Sequence, residues 1–373
     1  MSPGLCRDLR IYLRLLHLLG MMCWHFDSEA CELSATPPGE RYALLYTLAM
    51  LVASAGCFTF VHLQPQIIHL TIYNRTGNFY ETIIFRSTCL VLCLLYGILY
   101  LRRHRHRKLV QDMLRLNRKC LDKSTDKQFL HYLILYGVLT VLGFGNLLNG
   151  YSQSGMAPLA LALCLVVYVY AFLVLCLLLV FFVCLKMIMA AGLGHYNRQL
   201  CLEVLPSELN GRQRILAICQ GELADCFGQL MLPIVALILL MGPSGPFYMI
   251  STIMEGKFES RTVPIIFISS ATWGLPWIIM LVLMLRSNGI TVEANKTAKI
   301  LAKVPRTGTG LDKMIEKFLL KNLRQQPILT AYGFFALDKS TLFKVIFEGP
   351  YLTIHPNYLN YFCSFLRQSL RTW

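Results

Sequence analysis

Glu81 and Arg86 stand at the start of the apolar run Thr82–Leu101. A charge placed there is costly in lipid, and by default it marks a functional site. Two readings of Arg86 stay open. Its guanidinium snorkels to the outer headgroups, or it stands at the outer mouth of a ligand cavity. A second group is aromatic. Phe247 and Tyr248 follow Pro243, Gly245 and Pro246, while Trp273 and Trp277 flank Gly274 and Pro276. Proline inside a spanning helix kinks it and frees a backbone carbonyl. Kinked helices bearing aromatics can frame an apolar pocket for a small ligand. Packing and interfacial anchoring explain the same tryptophans equally well. No His-Glu-x-x-His, Gly-x-Ser-x-Gly or Cys-x-x-Cys occurs, so no enzyme, cofactor or metal site is expected. Gly308-Thr309-Gly310-Leu311-Asp312 approaches an intramembrane aspartyl protease motif but carries an extra residue. It lies in a polar basic stretch and reads as a turn and helix cap. His131 has no partner nearby in sequence and reads as an interfacial histidine.

The elements that position these residues follow from composition. The chain has 373 residues, of which 55% are hydrophobic and 15% charged, against roughly 25% charged in ordinary globular proteins. Lys+Arg is 35 and Asp+Glu is 20, a net charge of +15. Such hydrophobicity excludes disorder. A DNA-binding domain would carry its bases on a polar surface, not among long apolar runs. What remains is an all-α polytopic membrane protein. From Gln128 to Leu185 there is no Asp, Glu, Lys or Arg, far more than the about 20 residues that one crossing needs. The stretch divides at the turn-rich Asn149–Gly155. The predicted spans are Tyr42–Leu63, Thr82–Leu101, Phe129–Leu148, Pro158–Leu185, Leu223–Met241 and Pro264–Leu285. Only helices suit runs this long and apolar. Leu9, Tyr12, Leu13, Leu16, Leu19 and Gly20 fall at helical spacing, as in an amphipathic helix on a membrane surface. Arg7, Arg10 and Arg14 interrupt it, which argues against a secretory signal.

Charge orients the spans. Arg102–Gln128 holds ten basic and three acidic residues, and Arg286–Lys339 holds ten and four. The loop Lys186–Asp225 is balanced, and the opposite loops are nearly bare. The positive-inside rule makes the basic loops cytoplasmic, and the amino terminus with them. The sequon at Asn74 then falls outside, where glycosylation is possible. The sequon at Asn295 falls inside. None of the 14 cysteines lies in the three outer loops, so no disulfide framework is expected; the intramembrane cysteines read as small packing residues. Arg102–Lys108, directly after a span, reads as an orientation signal and an anionic-lipid contact rather than a nucleic-acid patch. Leu311–Leu323 is an amphipathic helix whose apolar stripe needs a partner, either a long helix of the same chain or another subunit. The resulting division is 1–41, a cytoplasmic amino-terminal segment; 42–285, six spans; 286–340, a basic loop with the amphipathic helix; and 341–373, a degenerate or replaced seventh segment.

The six spans, the inside amino terminus and the amphipathic helix before a last apolar segment resemble an insect gustatory receptor. Tyr332-Gly333-Phe334-Phe335-Ala336-Leu337-Asp338 is similar to that family's entry into its seventh helix, with Gly333, Phe335 and Asp338 at the motif positions. The resemblance implies a tetrameric, tastant-gated cation channel of the plasma membrane, built from like or unlike subunits. Its pore would be lined by the seventh helix and its anchoring domain built from the cytoplasmic ends of helices four to seven. The sequence departs after Ile346. Pro350, Pro356, Glu348 and His355 make a poor span, and no Thr-Tyr or Gln-Phe follows. That departure predicts a carboxy-terminally altered receptor that does not conduct alone. A G-protein-coupled receptor is the alternative, on Trp273-Gly274-Leu275-Pro276, but Glu40-Arg41-Tyr42 precedes the first span and the charge bias puts the amino terminus inside. A transporter or membrane enzyme would want more intramembrane charge than Glu81 and Arg86 supply.

Overall fold

The computed structural model describes residues 3–27, 32–69, 75–120, 131, 134–142, 145, 158–202, 206–242, 279, 282, 289–303 and 310–324. The first helix, α1 (Pro3–Leu18), buries Tyr12, Leu13 and Leu16 in the chain's own core. The apolar stripe read in the sequence therefore faces protein. Its end is a Schellman turn: Gly20 N–H donates to His17 O at 2.9 Å and Met21 N–H to Leu16 O at 2.9 Å. Gly20 has φ +67, and a Cβ there would lie 2.2 Å from Tyr46 Cδ1. Glycine is needed twice over, for the left-handed turn and for the approach of Tyr46.

A short antiparallel pair follows, β1 (Trp24–Asp27) and β2 (Glu32–Ala35). It is an addition to the all-helical expectation. Its outward edge is tied down: Leu33 N–H donates to Gln111 Oε1, and Arg107 Nη2 donates to Leu33 O, both at 2.9 Å.

α2 (Pro37–Leu63) and α3 (Arg75–Leu101) form a helical hairpin. α2 starts at Pro37, a turn before the predicted boundary, because proline suits the first helical turn. It buries Ala43, Thr47 and Ser54, small residues that let two helices approach in lipid, and exposes Leu45, Leu48, Val52 and Leu63. α4 (Arg103–Cys120) follows α3 after the single turn residue Arg102. Within the stretch read as a basic loop, Arg103–Cys120 is therefore a helix, with Leu109, Val110, Met113 and Leu114 buried at 3.6-residue spacing. The predicted third span is described at residues 134–142, which are helical. His131 is exposed.

α5 (Pro158–Leu202) is 45 residues long, about 67 Å at 1.5 Å per residue. It is long and apolar enough to cross a membrane and runs on well past the predicted end at Leu185. Every residue from Val174 to Leu185 is buried, which is what a helix apolar on all sides requires. Lys186 ends the apolar run but stays 2% exposed, its Nζ 4.2 Å from the centroid of the Phe182 ring.

The balanced loop is helical too: α6 (Pro206–Ala217), a π segment Ile218–Leu223, then α7 (Ala224–Met241) with Pro233 inside it. α8 (Gly289–Ala302) packs on α5, and α9 (Gly310–Arg324) packs on α8. The amphipathic helix thus has a partner within the chain, and Asp312 lies in its first turn. Among the described residues, Pro37–Leu63, Asn78–Leu101 and Pro158–Cys201 are long and apolar enough to cross a membrane, with Asp225–Met241 a shorter apolar helix.

Candidate functional site

The first turns of α3 carry three side chains that each reach a different helix. Tyr80 donates its hydroxyl to Leu240 O, in the last turn of α7, at 2.5 Å. Arg86 donates Nη2 to Val61 O, in the last turn of α2, at 3.3 Å. Both acceptors belong to the last turn of a helix, where carbonyls lack intrahelical donors and the dipole's negative end favours a cation. Glu81 points elsewhere. It is 8% exposed and accepts the Tyr168 hydroxyl of α5 at 2.9 Å. Tyr168 is itself buried, edge-on to Phe85 with ring centroids 5.7 Å apart. One span therefore ties α2, α5 and α7 together at its base-poor end, through polar groups whose alternative in lipid would be no partner at all.

This arrangement bears on the open readings of Arg86. The side chain is half-buried and directed at α2, and its Nε is buried without a hydrogen-bond partner. One face of the guanidinium is committed to the α2 terminus, and Nε is left over. Phe247, Tyr248, Trp273, Trp277, Gly333, Phe335, Asp338 and Asn74 lie outside the described residues. Tyr80 and Tyr168 carry no sequence signal stronger than a hydroxyl inside an apolar run, which must find an acceptor there.

A second polar group lies deeper. Tyr170 Oη meets Tyr96 Oη, and Tyr46 Oη lies 3.2 Å from Tyr170 Oη. Tyr96 donates to Leu19 O at 2.7 Å, and Tyr42 to Leu18 O at 3.1 Å. These acceptors are the terminal carbonyls of α1, so the tyrosines of α2 and α3 cap the amino-terminal helix.

At the basic end the chemistry is different. Arg212 is fully buried; its Nε donates to Thr297 Oγ1 at 2.8 Å and Nη2 to Ala294 O at 2.9 Å. Thr297 donates in turn to Asn197 Oδ1, and Asn197 Nδ2 donates to Glu293 O at 2.8 Å. Thr297, the threonine of the second sequon, is thus locked between α5, α6 and α8. Burial pushes the Arg212 guanidinium down to about 9, which leaves it charged at neutral pH. His106 is buried edge-on to Phe227, ring centroids 5.8 Å apart. Burial, helped by the Arg102 charge, pushes it down to about 4, so it is neutral at pH 7. Glu222 holds Lys108 above the ordinary lysine range.

Comparison with known proteins completes the picture. The family described as 7tm Chemosensory receptor matches residues 9–347. Gustatory and pheromone receptor 39a of Drosophila melanogaster is similar in two forms. Isoform A is 66% identical over 340 residues, 91% of this chain and 92% of its own length. Isoform D is 39% identical over 355 residues, 92% and 93% respectively. Among solved structures, the insect olfactory receptor OR5 from Machilis hrabei in complex with eugenol shares the fold, with a TM-score of 0.68 at 10% identity over 91% of this chain and 94% of that one. The departure after Ile346 coincides with the end of the family match at residue 347. A match across that span, with two-thirds identity to a gustatory receptor over nine-tenths of the chain, means that the chain belongs to the insect gustatory receptors.

Proposed function

We propose that this chemosensory receptor is a subunit of a small-molecule-gated cation channel of the plasma membrane, with its amino terminus in the cytoplasm. The observation that carries the reading is Glu81. A carboxylate buried in a span and held by the neutral Tyr168 hydroxyl, 2.9 Å away, is a polar contact that a ligand hydroxyl or amine can compete for. Arg86 lies on the same helix but engages the end of α2, and Phe247, Tyr248, Trp273 and Trp277 are further candidates for the same ligand on their sequence alone. The ligand is a small apolar molecule with one or two polar groups. The fold shared with an olfactory receptor solved with eugenol supports that class; the pheromone named for the 39a relatives supports a contact tastant. The same family membership favours a receptor over an enzyme, and the channel over a G-protein-coupled mechanism. Four subunits, alike or mixed, would enclose the pore, and Asn74 would carry a glycan outside.

A second reading has its own observation. Family similarity stops at residue 347, where prolines interrupt the expected pore helix, so the chain acts only in company with subunits that supply the pore. One experiment addresses both readings. The receptor is expressed in a heterologous cell, alone and with a family-like seventh helix grafted after Ile346, and currents are recorded against a tastant panel. Ligand-evoked current from both forms supports a self-sufficient channel; current only from the graft supports the second reading. Silence of both across the panel, with surface expression confirmed, counts against gating by this chain.

A further inference from the structure

In the sequence, Arg102–Lys108 is one undivided basic run; the structure splits it in two. One set turns into the protein. Arg102 donates Nη1 to Asp225 O at 3.0 Å, Arg103 donates Nη1 to Tyr100 O at 3.2 Å and Arg107 binds Leu33 O, while His106 is buried. The other set turns out. Among the described side chains of α4, the exposed ones are His104, Arg105, Lys108 and Arg115, and every one is a basic residue.

Their direction is set by the span above them. Leu94 and Leu101 are exposed on α3, and Lys108 and Arg115 follow at the same seven-residue interval. Helical hydrogen bonds flank the turn residue Arg102: its N–H donates to Ile98 O at 3.0 Å and His106 N–H donates to its carbonyl at 3.1 Å. Seven residues return a helix to within about 20° of the same side. The lipid-facing leucine stripe of α3 therefore continues as bases, with Arg105 one turn below Leu101. At 1.5 Å per residue Arg105 and Lys108 stand about 6 and 10 Å beyond Leu101. Their Cα–Cβ bonds tilt towards the helix amino terminus, which here is the bilayer. Both ammonium and guanidinium groups thus reach a headgroup layer about 5–7 Å deep. Opposing acids are few. Glu222 pairs with Lys108 across an exposed contact, side chains 30% and 69% exposed, a kind of pair that exchanges readily. Asp112 lies 3.7 Å from Arg214 and its side chain is 13% exposed.

We propose that His104, Arg105 and Lys108 form a binding site for the headgroup of an anionic phospholipid in the leaflet beside α4. The site is separate from gating and does not depend on the channel reading. The test uses full-length receptor in mixed micelles of neutral phosphatidylcholine, titrated with fluorescent phosphatidylserine and, separately, fluorescent phosphatidylinositol bisphosphate. Each neutralised base is expected to weaken binding about fivefold. Arg105→Gln with Lys108→Gln should therefore lose roughly 25-fold, and wild-type binding should weaken as salt rises. Arg115→Gln, about 21 Å beyond Leu101, should bind as wild type. If the double variant unfolds, Arg105→Lys with Lys108→Arg serves instead and must retain binding. Equal binding by the folded double variant, loss of binding in the charge-preserving pair, or equal uptake of neutral lipid overturns the proposal. Displacement by free inositol trisphosphate as strong as by the lipid would assign the site to a soluble phosphate and overturn it as well.

Discussion

Glu81 and Arg212 are buried ionisable residues, one acidic and one basic, near opposite ends of the described bundle, and each is engaged by a neutral hydroxyl. Glu81 takes the tip of one long side chain, Tyr168, from one neighbouring helix. Arg212 takes Thr297, whose own hydroxyl is passed on to Asn197, so that α5, α6 and α8 are linked by one chain of bonds. A competing hydroxyl can take the place of the first, the Tyr168 contact, without breaking a backbone hydrogen bond, since both partners are side chains. The second cannot be altered without leaving several buried polar groups unmatched, which costs more than the bonds contribute. On the proposed function, buried polarity serves exchange at one end and rigidity at the other.

The largest effect should come from breaking the rigid end. Arg212→Ala removes two charge-assisted bonds and opens a cavity, and should cost about 4 kcal/mol, read as loss of thermal stability in purified receptor. Acid should act next. His106 titrates near 4 in the folded protein and near 6.5 in the unfolded chain, so the unfolded state takes the proton first. Stability is then complete above pH 6.5 and falls as pH drops towards 4, by up to about 3 kcal/mol. His106→Leu should flatten that part of the pH profile. A retained slope would show that other groups carry it. Gly20→Ala must strain the left-handed turn and push Tyr46 aside, at about 2 kcal/mol, with faster hydrogen exchange in α1 as the local readout. The smallest effect on stability belongs to Tyr168→Phe, about 1 kcal/mol. In a channel assay, however, it should shift ligand sensitivity roughly tenfold with surface expression unchanged. If Tyr168→Phe destabilises as much as Arg212→Ala, the contrast between the two ends is lost.

The spans at α2, α3, α5 and α7 were legible because lipid demands long uninterrupted apolar runs. Glu81 and Arg86 stood out because charge is rare there. What stayed hidden was helix outside the membrane. The charge of Arg102–Gln128 dominates its sequence and masks the buried Leu109, Val110, Met113 and Leu114. Lys186–Asp225 reads as a loop because hydropathy falls off where α5 leaves the apolar zone, although nothing in Lys186–Leu202 stops a helix. The partner of Arg86 could not be read either. A carbonyl at a helix terminus has no side-chain signature, and its position depends on how α2 ends against α3. Tyr168 was invisible for a similar reason: its meaning lies in facing Glu81, 87 residues away in the chain.

The length of α5 has a mechanical consequence. The helix contacts Glu81 through Tyr168 and, 29 residues later, the Arg212 network through Asn197. Its centre is enclosed on every side, which makes that centre a fulcrum. For a stiff rod of about 67 Å, a tilt of about 6° about its centre moves each end by about 3.5 Å, more than a hydrogen bond can stretch. A ligand that loosens one tyrosine contact need not send a signal through a relay of side chains; α5 can carry it as a lever.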